Sequence, residues 1–344
     1  MKDTSAKSAF GSPRFGGNAN SIRLLRRTGL RPGALRPVVL VAIALVVGLA
    51  VPVSLSLELE YAISLAVFAV ATNLLLGFGG LVSFGQGVFY GLGAYTIALG
   101  WMHHVLSFWE AMVLAPILGA VAAGLMGLIA LRTKRLYFAL LTLAFSQLAY
   151  VIFEEQYNFT SGANGIFGAM VPSWLNSPKN SYVFVLGLSV ASLIAMWIVT
   201  RSRFGLVLRA IRDHRDRVEA LGVNVFAHQL VAMAISGFFC ALAGTMFVIY
   251  SQSTYPDLFL WTSSGIPVFM VVIGGMYRYL GPVLGALVYE LAHHFLIAHT
   301  HDWQLVLGVV LLLVVLLRPD GLVGTFDSFQ VRLRSRHSTD GDSK

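Results

Sequence analysis

The chain has 344 residues, of which 57% are hydrophobic and only 12% are charged, with a formal net charge of +8. Soluble domains usually have about 25% charged residues, so this composition excludes a water-soluble globular protein. Apolar runs of roughly 20 residues, the length that a helix needs to cross a bilayer, recur along the chain. These runs lack the alternating apolar and polar residues of a membrane barrel. The sequence therefore predicts an all-α polytopic membrane protein.

Three regions follow one another along the chain. Residues 1–36 are rich in Gly, Ser, Asn and Arg without an apolar period, which predicts a disordered basic arm and not a cleaved signal peptide. Residues 37–317 form the predicted transmembrane domain, and residues 318–344 form a polar tail. We expect about 8–10 transmembrane or half-spanning helices. The candidate segments are 38–57, 61–78, 84–102, 110–131, 136–153, 182–200, 228–250, 262–277, 281–298 and 304–317.

Lysine and arginine are distributed unevenly between the predicted loops. With a cytoplasmic N-terminus and every candidate segment crossing, 23 of the 24 Lys and Arg fall on one side, and only Lys179 falls on the other. This asymmetry follows the positive-inside rule. The membrane topology therefore explains the positive net charge, and binding to nucleic acid is not needed to explain it.

The first unusual segment reads "NLLLGFGGLVSFGQGVFYGLGAY" and covers residues 73–95. The glycines at 77, 79 and 80 are too dense for an ordinary span and predict a break in the helix. Gly87 and Gly91 form a small-x-x-x-small pair, which is typical of closely packed membrane helices. Two interpretations stay open at this point, namely a packing seam that contains two polar residues or the lining of a translocation path.

Polar residues also occur in the predicted span 136–153. Thr142, Ser146 and Gln147 are spaced so that they share one face of a helix. A mildly polar face without charge suits an uncharged or zwitterionic cargo better than an ion. Hydrogen bonding between helices is the alternative.

The basic loop 201–227 contains a predicted amphipathic helix over residues 204–224. Val207, Ile211, His214, Val218 and Leu221 form a narrow, mostly apolar stripe at helical spacing, surrounded by charged residues. We expect Gly222 to end this helix. The helix would lie either on anionic lipid or in a groove of a partner protein.

A second interrupted segment reads "SSGIPVFMVVIGGMYRYLGPVLGAL" and covers residues 263–287. It contains the glycine pair Gly274 and Gly275 and a predicted break near Pro282. Two interrupted short spans, one early and one late in the chain, are typical of transporters with internal repeats.

The sequence contains none of the usual signatures of catalysis. It has no phosphate-binding G-x-x-x-x-G-K-[ST] loop and no strand, turn and helix context for a nucleophilic serine, so we expect no catalytic residue, no cofactor and no ATP hydrolysis by this chain itself. The single cysteine, Cys240, cannot form an internal disulfide. A membrane metalloenzyme is a remote alternative, because Glu290 precedes His293 by three residues, but a second carboxylate motif is missing. The remaining histidines considered for this site are His103, His104, His294, His299 and His301.

Several ordered motifs resemble the LivM and LivH type of permease, the membrane subunits of ABC importers for branched-chain amino acids, and are most similar to the LivM branch. The resemblance covers roughly residues 60–325. It is carried by "NLLLGFGGLVSFGQGVFYGLGAYT", "LRTKRLYFALLTLAF", "TSGANGIFG", "SRFGLVLRAIRDHRDRVEALGVNV", "VVIGGMYRYLGPVLGALVYE" and "LRPDGLVG".

The resemblance implies an ABC importer permease fold and a set of partners. These are a homologous second permease subunit, two cytoplasmic ATP-binding subunits and an extracytoplasmic solute-binding protein, all at a bacterial inner membrane. The residues implied for the ATPase-coupling helix are Arg209, Arg212, Asp213, Glu219, Ala220 and Gly222. The residues expected along the translocation path, including Thr142 from the polar face above, are Ser83, Gln86, Gly87, Gly91, Gly93, Thr142, Gly274 and Gly275.

The chain departs from the family pattern at two positions. Ser161 precedes Gly162 where the family usually has two adjacent glycines, and Tyr289 stands where it usually has proline. Permeases for urea and short amides resemble this chain too. We therefore expect branched-chain amino acids as cargo, with urea or short amides as the alternative within the family. An ion-coupled secondary transporter is a further alternative, although the spans contain few charged residues.

Overall fold

The computed structural model describes residues 53–168, 170–299, 305, 306, 308 and 309. The predicted arm 1–36, the tail 318–344 and most of the segments 38–57 and 304–317 lie outside the described residues. The helices are α1 Val53–Asn73, α2 Gln86–Met102, α3 Phe108–Ala130, α4 Arg135–Glu155, α5 Tyr157–Thr160, α6 Pro178–Arg201, α7 Arg203–Asp213, α8 Arg215–Ala220, α9 Val225–Ser251, α10 Trp261–Gly274 and α11 Gly281–His299.

The described part of the chain is an all-α membrane protein, as predicted. Within it, five helical segments are long and apolar enough to cross a membrane, and α10 and α11 are shorter apolar helices. The five are Leu57–Phe78, Phe108–Ala130, Arg135–Glu155, Pro178–Arg201 and Val225–Ser251. The strands β1 (Ile166–Phe167) and β2 (Ser253–Thr254) form a short antiparallel ladder, in which Ile166 pairs with Thr254.

Helix α9 lies at the centre of the bundle and packs against α1, α2 and α3. Small residues allow the backbones to approach, since a Cβ atom on Gly119 would come within 2.6 Å of the Gly237 carbonyl oxygen. A Cβ atom on Gly93 would overlap the Ala241 carbonyl oxygen, and one on Gly244 would overlap that of Tyr90. Apolar contact alone gains little in lipid, so this close approach is a main source of packing energy.

Local sequence signals account for several helix ends. Ser107 and Glu110 form a capping box at the start of α3, in which each side chain binds the backbone N–H of the other residue. The Asn224 side chain accepts a hydrogen bond from the Ala227 N–H at the start of α9. Pro178 occupies the first turn of α6, where a missing N–H costs nothing.

Both predicted helix breaks are present. After Asn73, α1 continues as a π-helical turn, Leu74–Phe78, and the chain then leaves helical geometry at Gly80, whose φ is +66°. The late break covers residues 275–280 and begins at Gly275, whose φ is +109°. It precedes Pro282, which lies in the first turn of α11. Only glycine adopts these backbone angles without strain, so the glycines determine where the two helices end.

The predicted single helix over 204–224 is wrong. The chain forms α7 and α8, which are separated at His214, where φ is −148° and ψ is 78°. Ile211 and Val218 pack together as predicted, but His214 is exposed and the Leu221 side chain is 82% exposed. Gly222 follows the end of α8 with φ +82°, as expected of a helix stop.

The loops gather at two ends of the bundle. Arg135, Arg212 and the break 275–280 meet at one end, which we call the basic end. His103 stacks on Phe159 at the other end, which we call the aromatic end and which also includes the β1–β2 ladder.

The candidate metal ligands are divided between separate contacts. In the described ranges, no group of three or more His, Cys, Asp or Glu residues is placed to hold a metal ion. His293 Nδ1 lies 3.9 Å from Glu290 Oε1, and His294 Nδ1 lies 3.4 Å from Glu58 Oε1. His301 lies outside the described residues.

Candidate translocation site

The early break returns the chain into the bundle. The π-helical turn shifts the hydrogen-bond register, so that the Leu81 N–H donates to the Leu75 carbonyl oxygen at 2.9 Å. Residues 81–85 then run inward without helical structure until α2 begins at Gln86. Non-helical backbone at membrane depth needs partners for its polar groups. Those partners come from α4 and α10.

Polar contacts join the early segment to α4 and α10, and join α4 to the Phe259 backbone and to α10. The Phe84 N–H donates to Thr142 Oγ1 at 3.1 Å, and the Gly87 N–H donates to Ser264 Oγ at 2.8 Å. Ser146 Oγ donates to the Phe259 carbonyl oxygen at 2.6 Å and lies 3.5 Å from Ser264 Oγ. We call this set the polar seam (Thr142, Ser146, Ser264 and the backbone groups of Phe84, Gly87 and Phe259). Its three hydroxyl side chains are fully buried.

The glycines of α2 make room for the turn Pro256–Phe259 that precedes α10. A Cβ atom on Gly87 would stand 2.8 Å from Ser264 Oγ and 3.0 Å from the Leu258 carbonyl oxygen. One on Gly91 would stand 2.7 Å from the Phe259 ring. The Gly87 and Gly91 pair therefore packs against the turn Pro256–Phe259 and not against a regular helix.

An apolar cavity of 390 Å³ lies between α2, α3 and α4 on the side of the aromatic end. Aromatic rings separate it from the polar seam, since Phe153 stacks on Phe259 with ring centroids 4.2 Å apart and meets Tyr95 edge to face at 4.7 Å. The residues that line it include Leu92, Tyr95, Leu99, Leu114, Phe153 and Phe159. The cavity, these rings and the polar seam form one continuous series from the aromatic end into the bundle.

The amphipathic segment at the basic end presents two faces. Arg209 and Arg212 point toward the membrane helices, where the guanidinium groups stack over Phe78 at 5.7 Å and Tyr277 at 5.1 Å. The residues that remain exposed on the other face are Asp213, Glu219, Ala220 and Gly222. The Arg212 hydrogen bond lowers the pKa of the Asp213 carboxyl group.

The comparison with protein families decides the identity of the chain. Residues 54–316 match the family described as the permease component of the branched-chain amino acid transport system. The chain belongs to this family. The match confirms the resemblance found in the sequence and the all-α permease fold.

Named relatives agree with this assignment. The permease resembles the high-affinity branched-chain amino acid permease protein LivM of Salmonella typhimurium, with 27% identity over 284 residues, or 75% of this chain and 67% of the relative. A probable LivM of Methanocaldococcus jannaschii is 27% identical over 233 residues, or 62% and 67%. A nucleoside ABC transporter permease, NupC of Lactococcus lactis, is 27% identical over 104 residues, or 30% and 32%. No solved structure matches.

The structure of the permease brings only some of the predicted path residues together. Thr142 and Gly87 belong to the polar seam, and Ser83 Oγ accepts a hydrogen bond from the Gly85 N–H beside it at 3.3 Å. Gly91 contacts Phe259 next to the seam. The remaining predicted residues, which have other contacts, are Gln86, Gly93, Gly274 and Gly275.

Gln86 and Gly93 face α9. The Gln86 Oε1 atom accepts hydrogen bonds from Ser236 Oγ and Cys240 Sγ, both at 3.1 Å, while Gln86 Nε2 has no partner in the described residues. Gly93 packs on the Ala241 backbone. Gly274 packs against Gly281 at the late break, so the structure does not bring Gly274 or Gly275 to the seam.

Sequence reasoning missed Ser264 and the Phe259 carbonyl group of the permease. Ser264 stands in the pair Ser263-Ser264 just before an apolar run, and that position was the available signal. Nothing local in the sequence singles out Phe259, because its role comes from a backbone oxygen. Ser146 was noted as part of a polar face, but its partner across the seam is known only from the fold.

Proposed function

We propose that this permease subunit moves branched-chain amino acids across a bacterial inner membrane, driven by ATP hydrolysis on partner subunits. The observation that carries the proposal is the series that leads from the apolar cavity between α2, α3 and α4, past the aromatic rings, to the polar seam. The apolar lining suits an aliphatic side chain and offers urea few hydrogen-bond partners. The names of the LivM relatives, which are branched-chain amino acid permeases, support the same cargo.

The seam is the part of this route that must open. Its hydroxyl groups and freed backbone groups offer hydrogen bonds to a zwitterionic cargo once the elements separate, and they satisfy each other when the seam is closed. Transport then requires two arrangements of the same helices, with the cargo bound between them. The cargo affects the equilibrium between the two arrangements only through its different affinity for each. ATP binding and hydrolysis on the partner subunits drive the change from one arrangement to the other.

The proposed orientation places the basic end in the cytoplasm. The arginine and lysine excess of the loops at that end supports it. One of the two ATP-binding subunits would then dock on the exposed face of α7 and α8, and a solute-binding protein would deliver the cargo at the aromatic end. This chain would contribute no covalent chemistry and no resident cofactor.

The exposed side of α4 supports a second, homologous permease subunit as a partner. Gln147 is exposed in the middle of this helix, between the exposed apolar residues Leu140, Leu148 and Val151. A polar amide that faces lipid at membrane depth is costly. Burial of this side of α4 against the second permease would remove Gln147 from the acyl chains. The native mass of the purified complex measures whether two permease subunits are present.

The proposal is tested by transport in proteoliposomes of the co-purified complex. We expect radiolabelled leucine to accumulate only with both ATP and the binding protein, and urea not to accumulate. ATP-dependent uptake of urea alone would support the ATP-driven mechanism and contradict the proposed cargo. Uptake of leucine without ATP would favour an ion-coupled transporter, and stoichiometric iron or zinc lost on His294→Ala would favour a metalloenzyme.

The role of the polar seam is tested by Ser264→Ala. Loss of the hydroxyl leaves the buried Gly87 N–H without its acceptor, a change that costs about 1–3 kcal/mol, and we expect leucine uptake to fall roughly tenfold. The matched control is Ser263→Ala, because the neighbouring Ser263 is only partly buried and its hydroxyl donates to the Asp257 carbonyl oxygen, outside the seam. Equal uptake by the two variants would contradict a role for the seam.

A further inference from the structure

Arg212, in the last turn of α7, has more contacts with the membrane helices than its place in a charged loop suggests. Its Nη1 atom donates to the Gly77 carbonyl oxygen at 2.6 Å, in the π-helical turn that ends α1. Its guanidinium stacks over Tyr277 in the late break. Its carbonyl oxygen accepts a hydrogen bond from Arg135 Nη2 at 3.1 Å, at the first residue of α4.

The aliphatic part of Arg212 is held as closely as its head group. A Cβ atom on Gly80 would stand 2.6 Å from Arg212 Cγ, so the arginine side chain lies directly on the Gly80 backbone. The Asp213 carboxylate pairs with Arg212 Nε at 2.8 Å and orients the guanidinium. The Arg212 side chain is 22% exposed, against 55% for Asp213. Arg212 therefore faces the membrane helices and not the surface offered to a partner.

The three elements that Arg212 touches are the three that build the polar seam. Gly77 and Gly80 directly precede the inward segment that ends at Gly87. Tyr277 follows α10, which contains Ser264, and Arg135 begins α4, which contains Thr142 and Ser146. The two breaks also touch each other here, since a Cβ atom on Gly77 would overlap the Met276 carbonyl oxygen. A shift of α7 thus acts on the end of every seam element at one residue, on α4 through the Arg212 carbonyl group and on the two breaks through the Arg212 side chain.

We infer that Arg212 is a positioning residue that transmits the movement of α7 to the polar seam, and that it is not a contact for the ATP-binding subunits. This inference rests on the proposed function and deepens it. When α7 moves with the ATP-binding subunits, Arg212 pulls on the Gly77 carbonyl group and on Tyr277 together. The inward segment and α10 then separate or close as one unit.

Arginine is required here by its geometry. A planar guanidinium can donate hydrogen bonds in its own plane to Gly77 and Asp213 while its face lies on an aromatic ring. The ammonium group of lysine is a point charge on a flexible chain and cannot do both. We therefore expect Arg212→Lys to restore the positive charge without restoring transmission.

The test compares Arg212→Gln, Arg212→Lys and Gly80→Ala in the purified complex with the binding protein. Gly80→Ala displaces the Arg212 side chain without removing it, and it also strains the backbone at Gly80, whose φ is +66°. The matched control is Arg203→Gln, the same change at an exposed residue of the same helix. Leucine uptake, ATP hydrolysis and hydrogen exchange of the backbone amides in 77–81 and 275–280 are measured on each.

We expect the three test variants to assemble and to hydrolyse ATP within about twofold of the wild-type rate, while leucine transported per ATP falls at least tenfold. Hydrogen exchange should rise in both break segments and stay unchanged in Arg203→Gln. Unchanged leucine per ATP in Arg212→Gln would overturn the inference. Failure of the ATP-binding subunits to co-purify would also overturn it, since Arg212 would then act as their contact.

The two proposals fail in different ways. If the wild-type complex shows no ATP-dependent uptake of any cargo, the proposed function fails. If the wild type transports leucine and the Arg212 variants do so with equal yield per ATP, only the transmission role fails.

Discussion

Replacement of Gly93 by valine is expected to lower the stability of the permease strongly. The first added carbon would overlap the Ala241 carbonyl oxygen of α9, which is backbone and cannot rotate away. The two helices would have to move apart along the contact that includes Gly244 and Tyr90. Overpacking of a closely packed interior typically costs about 1–3 kcal/mol, and we expect the upper end here because the obstacle is main chain. The measurement is the unfolding temperature of detergent-purified protein.

The control for this change is Gly187→Val in α6. Gly187 is also a helical glycine, but it is exposed and a Cβ atom there would meet nothing within 4 Å. Valine has a higher helix propensity than glycine, so this variant should be at least as stable as the wild type. An unfolding temperature for Gly93→Val equal to that of Gly187→Val would show that α2 and α9 are not packed as described.

A negative charge on α8 is expected to separate the permease from its ATP-binding partners. Ala220 is exposed at the end of α8, on the face that we propose for docking. In Ala220→Glu, a carboxylate would be buried in the contact without a partner, at a cost of about 3 kcal/mol, or roughly a hundredfold in the dissociation constant. We expect the variant to insert normally, to lose the ATP-binding subunits on purification and to lose ATP-dependent uptake.

The control for docking is Lys134→Glu. Lys134 is exposed in the loop that precedes Arg135, and Arg135 contacts α7, so the same side chain is introduced at the same end of the molecule. We expect Lys134→Glu to retain the partners and at least half of the uptake. If Ala220→Glu retains the ATP-binding subunits, the docking site does not lie on this face of α8.

The sequence predicted the helix breaks because their cause is local. Glycine is the residue that adopts the positive φ of Gly80 and Gly275, so its density near 77–80 and 274–275 indicates the breaks directly. The split of the amphipathic segment at His214 was not predicted, since periodicity alone does not distinguish one helix from two short ones. Both halves satisfy the same apolar spacing.

The seam could not be predicted in detail because its partners are distant in sequence. Gly87 and Ser264 are 177 residues apart, and neither has a local feature that identifies the other. The same limit applies to Arg212, which the family resemblance assigned to ATPase coupling. The direction of its side chain depends on where the two breaks meet, which is a property of the tertiary fold.

The interlocking of the two breaks has a consequence for biosynthesis. Gly77, Gly87 and Gly93 contact the backbones of Met276, Leu258 and Ala241, respectively. The ribosome synthesises these three contact residues much later than the glycines. Helices α1 and α2 therefore enter the bilayer with open grooves and with backbone groups that lack their final partners. The early half cannot reach its mature packing until α9 and α10 have been inserted, so a nascent chain paused in the 201–224 loop should be a preferred substrate for membrane quality-control proteases.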